Sequence, residues 1–321
     1  MGCRFPDAEN HHDFWKNLCE GKESLKDVPS DRWDIESVYH ENPLAIGKIN
    51  TRRAGFIDKI EQFDRQFFGL SVRESTRMDP AHRKLMEIAW ETFENAGILP
   101  ETLEETNTGV FIGISGSDYS QIQFNDEKLA DAYAGLGSAL TNAASRISHF
   151  YNLRGPAFAV DTACSSSLTS VHLACSSIRN GEVDMALAGG VNILLSPAVT
   201  MSLTKAGMMA PDGKCKTFDA AANGYVRAEG IGLVMLKPLS KAQADGDKIY
   251  AIVRGTSSNQ DGKSSGISAP NGKAQQAVIM SACKNAGIQP GELDYVEAHG
   301  TGTSLGDPIE INALGEVLKI G

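Results

Sequence analysis

A cysteine at the turn from a strand into a helix can act as a nucleophile, and Cys164 has that setting. It lies in Asp161-Thr-Ala-Cys-Ser-Ser-Ser-Leu168. The run from Pro156 to Ala163 is small, apolar and β-prone, which predicts a buried strand. Leu168, Val171, His172, Ala174, Cys175 and Ile178 then recur at helical spacing, and Gly181 marks the stop. A thiol at the start of such a helix faces unpaired backbone N–H groups and the positive end of the helix dipole. Both favour the thiolate, the reactive form. The octapeptide alone leaves two readings open, a reactive thiol or a buried structural cysteine.

A second constellation stands late in the chain, in Asp294-Tyr-Val-Glu-Ala-His-Gly-Thr-Gly-Thr303. A short apolar strand is expected to end at His299, followed by a flexible Gly-Thr-Gly-Thr loop. Asp307, Pro308 and Glu310 then fit a helix start, with Asp307 as N-cap, Pro308 at N1 and Glu310 closing a capping box. So the late segment repeats the plan of the Cys164 segment: a strand, a reactive side chain at its end, then a helix. Ligands of α/β sheets bind beyond the carboxyl ends of strands, where both side chains would sit.

The elements that must position these groups are readable in outline. Met185–Val191 reads as the strand after the Cys164 helix, and a crossover of this kind makes the two strands parallel. Thr108–Ile114 reads as a further buried strand, ending in Gly113-Ile-Ser-Gly116, which is not a dinucleotide fingerprint. Asp79 as N-cap and Pro80 at N1 open a helix whose apolar face is Leu85, Ile88, Ala89 and Phe93, and His82 on its first turn is expected at the surface. Ile231–Lys237 and Ile249–Gly255 read as strands, Ala139–Phe150 and Lys273–Ala286 as helices. Ser117–Ala134 reads as a polar cover.

Composition excludes several classes. The chain has 321 residues, 41% of them hydrophobic, enough for a large core. Its net charge of −10 argues against nucleic-acid binding, which needs a basic surface. No apolar run is long enough to span a membrane, and Arg4, Asp7 and Glu9 break any apolar start. The six cysteines are scattered and form no Cys-x-x-Cys pair, so neither a metal site nor a disulfide framework is indicated, and a reducing cytoplasm fits.

The octapeptide around Cys164 resembles the active-site signature of β-ketoacyl synthases, and Glu297-Ala-His-Gly-Thr-Gly-Thr303 resembles their histidine segment. The similarity runs along nearly the whole chain and points to ketosynthase domains of modular type I polyketide synthases. It implies an α/β fold of the thiolase-like kind, with duplicated α/β/α/β/α layers and an incomplete second half. It implies one ketosynthase domain over residues 1–321, without its first strand and its C-terminal part, and Gly2–Pro6 resembles the turn after that first strand. It also implies decarboxylative condensation of a Cys164-bound acyl chain with a malonyl-type extender. In that scheme His299 stabilises charge on the extender thioester, Thr301 and Thr303 hold the pantetheine arm, and Phe218 guards the nucleophile. No cofactor is bound by the domain itself. Substrates arrive on the phosphopantetheine of an acyl carrier protein, and the other expected partners are a second copy of the chain and neighbouring polyketide synthase domains. The family carries a second histidine in a Gly-His pair and a late glycine-rich loop, which are expected beyond Gly321. Two alternatives accompany this reading: a catalytically incomplete fragment serving dimerisation or carrier docking, and a stand-alone fatty-acid synthase condensing enzyme. The family's usual Arg-Gly-Glu-Gly stands here as Arg227-Ala-Glu-Gly230. Alanine there costs about 1 kcal/mol if the backbone needs a positive φ.

Overall fold

The computed structural model describes residues 1–116, 118–126, 128 and 130–319. Ser117, Glu127 and Leu129 of the expected polar cover, and Ile320 and Gly321, lie outside the described residues. In chain order the elements begin with β1 (Gly2–Arg4), α1 (His11–Cys19), β2 (Lys26–Asp27), α2 (Ile35–Val38), β3 (Arg53–Ala54), α3 (Val72–Arg77) and α4 (Pro80–Asn95). Next come β4 (Thr108–Gly113), α5 (Asp118–Phe124), α6 (Ala132–Ser138), α7 (Asn142–Phe150), β5 (Ala157–Val160), α8 (Ser166–Arg179) and β6 (Met185–Asn192). The chain continues with α9 (Ala198–Lys205), β7 (Gly230–Leu236), α10 (Leu239–Ala244), α11 (Gly272–Ala286) and α12 (Gly306–Leu318).

Two compact units divide the chain. The first comprises Met1–Leu25, Gly55–Leu195 and Ala228–Ala251, the second Lys26–Ala54, Ser196–Arg227 and Ile252–Gly321. The first unit is built on a five-stranded sheet in the order β1-β7-β6-β4-β5. β4 is parallel to both β5 and β6, as a β5–α8–β6 crossover requires, while β7 runs antiparallel to β6 and β1. Side chains of β4 alternate between the two faces. Val110 and Ile112 join Leu85, Ile88, Ala89 and Phe93 of α4 and Ala143, Ala144 and Ile147 of α7 in one core. Phe111 joins Ala174 of α8 and Ala186 and Ala188 of β6 in the other. The result is three layers, with α4 and α7 on one face and α8 on the opposite face.

The helix start at Asp79 follows the sequence rule, since its carboxylate accepts the Ala81 N–H at 2.8 Å. His82, expected at the surface, is instead 1% exposed. The start of α4 is covered by the segment carrying Gly137, whose carbonyl takes the Asp79 N–H at 3.0 Å. Gly2–Arg4, read as a turn, pairs with Ile231–Leu233 as the edge strand β1. Ala228 does not adopt a positive φ, so it carries no such cost.

The second unit contains the β2–β3 ladder and helices α2, α9, α11 and α12. The expected strands Ile249–Gly255 and Asp294–His299 do not form. Neither stretch has a ladder partner among the described residues, and Ile252, Val253, Tyr295 and Val296 are exposed. An apolar β-prone run becomes a strand only where another backbone supplies the hydrogen bonds.

Burial sets a pH limit on the first unit. Neither ring nitrogen of His82 has a hydrogen-bond partner among the described residues, and burial, with the nearby Arg146 charge, pushes its pKa down to about 3. The folded protein therefore keeps this ring neutral, while the unfolded chain protonates it below about pH 6.5. Stability falls as pH drops from about 6.5 towards 3, by roughly 2 kcal/mol at pH 5 from this group alone. His82→Met is expected to flatten the dependence of the chemical-denaturation midpoint on pH between 6.5 and 5.

Candidate active site

Cys164 lies in the first unit; His299, Thr301, Thr303 and Phe218 lie in the second. The thiol sits in a one-turn 3-10 helix, Ala163–Ser165, between β5 and α8. It is exposed and makes no hydrogen bond among the described residues.

The backbone that presents it is unusual. Ala163 has φ +54°, the left-handed region, which costs a residue with a Cβ about 1–2 kcal/mol. Side-chain hydrogen bonds hold it there. Asp161 Oδ1 accepts the Ala163 N–H at 2.9 Å and the Ser115 hydroxyl at 2.7 Å. Ser166 Oγ accepts the Thr162 N–H at 2.9 Å and donates to the Ala163 carbonyl at 2.7 Å. The Ser115 hydroxyl and the Ala163 N–H hold the Asp161 carboxyl below the usual carboxylate range, so it is ionised at neutral pH.

α8 supplies the electrostatics. Its N-cap, Ser165, makes no side-chain cap, because its hydroxyl turns back to Thr162, 3.0 Å from the carbonyl and 2.9 Å from Oγ1. The Ser166 N–H turns back to the Ala163 carbonyl, so the start of this 14-residue helix carries no side-chain cap, and the positive end of its dipole faces the Cys164 turn. Its first turn is pressed onto the sheet at two glycines. A Cβ on Gly113 would lie 2.5 Å from the Ser166 and Ser167 backbone, and one on Gly190 would lie 2.8 Å from the Ser167 Cβ. One turn on, the buried Ser170 hydroxyl is 2.7 Å from the Gly189 carbonyl.

The sequence expectation of a buried strand before Cys164 needs correction. β5 is an edge strand, and Phe158 on it is 53% exposed. Sequence reasoning missed Ser115, Gly113 and Gly190 as parts of this site. Their signal was present only as a strand end with a small-residue tail, Gly113-Ile-Ser-Gly116.

In the second unit two acids organise the histidine loop. Glu310 accepts the His299 N–H at 2.7 Å through Oε1 and the Gly300 N–H at 2.8 Å through Oε2. Asp307, 4% exposed, accepts the Gly302 N–H at 3.0 Å and the Phe218 N–H at 2.7 Å. The expected capping box is therefore absent. α12 begins at Gly306 after Leu305, without a side-chain cap, and the acids bind loop amides instead. Several unpaired N–H groups of a turning loop compete better for a carboxylate than a single helix-end N–H.

The remaining contacts lock the loop from the other side. Thr217 Oγ1 donates to the Gly300 carbonyl at 2.6 Å, Cys215 Sγ lies 3.3 Å from the Thr301 carbonyl, and the Gly224 N–H reaches the Gly302 carbonyl at 2.9 Å. Gly302 needs its φ of +70°, and a Cβ there would meet the Lys216 nitrogen at 3.0 Å. Thr301 and Thr303 join through their hydroxyls at 2.9 Å. The His299 imidazole is exposed and carries no hydrogen bond among the described residues. Phe218, half exposed, has φ +59°, held by the Asp307 bond to its N–H. Within this unit the structure thus brings together four of the residues singled out from the sequence, through one buried carboxylate and one loop. Among the described residues, no group of three or more His, Cys, Asp or Glu side chains could hold a metal ion.

Comparison with known proteins places this geometry. Residues 1–242 match the family model for the β-ketoacyl synthase N-terminal domain, and residues 250–321 match that for the C-terminal domain. One phenolphthiocerol/phthiocerol polyketide synthase protein of Mycobacterium tuberculosis is 49% identical over 315 residues, 98% of this chain and 20% of that protein. Another phenolphthiocerol/phthiocerol polyketide synthase protein from the same organism is 49% identical over 323 residues, 100% of this chain and 17% of that protein. The chain thus spans about a fifth of the length of these relatives. Among solved structures, the ketosynthase from module 6 of the bacillaene synthase of Bacillus subtilis 168 superposes with a TM-score of 0.90 at 42% identity, covering 99% of this chain and 53% of that one. The oxazolomycin ketosynthase domain of Streptomyces albus JA3453 gives 0.93 at 41% identity, covering 99% and 55%.

The glycine contact beneath α8 can be tested directly. Gly113→Ala forces the first turn of α8 away from the sheet, with an expected cost of roughly 1–3 kcal/mol. Thermal unfolding reads that loss. The Ala variant at Gly135, where a Cβ meets nothing within 4 Å, is expected to unfold near the parent temperature.

Proposed function

The chain belongs to the β-ketoacyl synthase family, and from that premise we propose that residues 1–321 are part of one ketosynthase domain, the condensing domain of a polyketide synthase. The observation that carries the reading is the Cys164 elbow: an exposed thiol, held by a left-handed Ala163 at the uncapped start of α8.

The reaction follows from those groups. The Cys164 thiolate attacks the carbonyl carbon of an acyl thioester delivered on a phosphopantetheine arm. The pantetheine leaves as a thiolate, which takes a proton from water, and the acyl chain stays on the Cys164 sulfur. The N–H of Cys164, at the helix end, is the donor for the oxyanion that forms on that carbonyl. A malonyl-type extender on an acyl carrier protein then loses CO2. His299 donates a hydrogen bond to the extender's thioester oxygen, where the electron pair collects as an enolate. The enolate carbon attacks the Cys164 thioester. The new carbon–carbon bond forms, the sulfur leaves as thiolate, and the β-ketoacyl product remains on the carrier. Thr301 and Thr303 hold the arm through their hydroxyls, and Phe218 controls access to sulfur. The domain itself needs no bound cofactor.

The acyl carrier protein and neighbouring polyketide synthase domains are the partners this reading requires. A second copy of the chain is another. β5 offers an edge for it, with Phe158 53% exposed. No helix among the described residues is long and apolar enough to cross a membrane, and the proposed setting is the cytoplasm.

Incubation with an acyl-pantetheine thioester is expected to add one acyl mass per chain, lost in Cys164→Ala. Folded protein that takes no adduct would favour a scaffold or carrier-docking role. His299→Ala is expected to keep the adduct and to lose CO2 release from a malonyl-pantetheine thioester. On light scattering, Phe158→Lys is expected to shift a dimer towards monomer.

A further inference from the structure

Ser115 is outside the Cys164 segment in sequence and inside it in space. It follows β4 by two positions, and β4 is tied to β5 up to this point, since the Ile114 N–H donates to the Val160 carbonyl at 3.0 Å. The Ser115 hydroxyl lies 2.7 Å from Asp161 Oδ1, 3.1 Å from Ser166 Oγ and 3.4 Å from the Ala163 carbonyl.

Counting protons assigns each hydroxyl its partner. Ser166 uses its proton on the Ala163 carbonyl at 2.7 Å and one lone pair on the Thr162 N–H at 2.9 Å. The single proton of Ser115 goes to its shortest acceptor, Asp161 Oδ1. That same oxygen receives the Ala163 N–H at 2.9 Å. Asp161 is exposed, so nothing but such donors keeps its carboxylate turned towards the backbone rather than towards water. The chain of dependence therefore runs from Ser115 to Asp161, from Asp161 to the left-handed Ala163, and from Ala163 to the direction of the Cys164 sulfur.

We propose that Ser115 is a positioning residue for Cys164, acting through Asp161 to keep Ala163 left-handed and the thiol presented at the start of α8. The inference deepens the reading of Cys164 as acyl acceptor and rests on it. Ser115 touches neither sulfur nor substrate in this role. It also borders a cavity lined in part by Ile114, Gly116 and Val191.

The test compares Ser115→Ala and Ser115→Thr in the full chain. The six free cysteines supply internal controls: Cys19 and Cys215 are exposed, and Cys175 is buried in α8. Two rates are followed by peptide-resolved mass spectrometry, alkylation by iodoacetamide and acylation by an acyl-pantetheine thioester. The Ala variant is expected to slow both reactions at Cys164 about tenfold, with the half-saturating thioester concentration unchanged. Alkylation of Cys19 and Cys215 and the protection of Cys175 stay as in the parent. The Thr variant, which keeps the donor, returns the Cys164 rates to within about threefold of the parent.

Parent-like Cys164 rates in the Ala variant overturn the inference. So does a slowed Cys164 accompanied by a newly reactive Cys175, which marks general loss of structure. Failure of Thr to restore the rates overturns it as well. The two levels separate cleanly. A parent protein that takes no acyl group, with Cys164 alkylation still slowed selectively in the Ala variant, refutes the acyl-acceptor reading and leaves the positioning role standing. An acylated parent with unchanged rates in the Ala variant refutes the positioning role alone.

Discussion

The close approach of α8 to two glycines is the constraint on which the placement of Cys164 depends. With Gly113 and Gly190 bare, the first turn of the helix rests on the sheet backbone itself. The chain leaving β5 must then turn within a few residues to enter that helix. Ala163 makes the turn by going left-handed, a conformation that persists only because neighbouring groups over-determine it. Sulfur exposure and the hydrogen bonds of Asp161 and Ser166 go with that one packing choice.

The second unit solves a comparable problem by other means. A Gly-Thr-Gly-Thr loop has no intrinsic shape, so its amides need fixed partners. Two carboxylates supply them. Glu310 holds His299 and Gly300, and Asp307 holds Gly302 together with Phe218. The His299 backbone is thereby fixed, while its ring is exposed. In both units, acids serve as backbone anchors, and the Cys164 and His299 side chains carry no hydrogen bond among the described residues.

Much of the first unit could be read from the sequence because its signals are local. The Asp79-Pro80 start, the apolar face of α4 and the alternation of β4 each need only neighbouring residues. What escaped notice depends on distant ones. Phe158 sits in an apolar run that looks like a buried strand, and only the strand order reveals an edge. His82 looks like a first-turn surface residue until the segment of Gly137 covers it. Ser115 meets Asp161 because β4 and β5 share a register, which no spacing rule displays. Asp307 and Glu310 match a capping pattern in full, yet the amides of a loop before the helix outcompete the helix end. The strands expected at Ile249–Gly255 and Asp294–His299 show the same limit, since a strand is a relation between two backbones.

The central claim is that local geometry, rather than exposure, makes Cys164 the nucleophile. Cys19, Cys164 and Cys215 are all exposed, so exposure alone would share an electrophile among them. A chloroacetyl-pantetheine supplied below one equivalent, followed by peptide mapping, tests the claim most directly. The account predicts that nearly all of the label is found on Cys164. Label shared among the three cysteines in proportion to their exposure would contradict it.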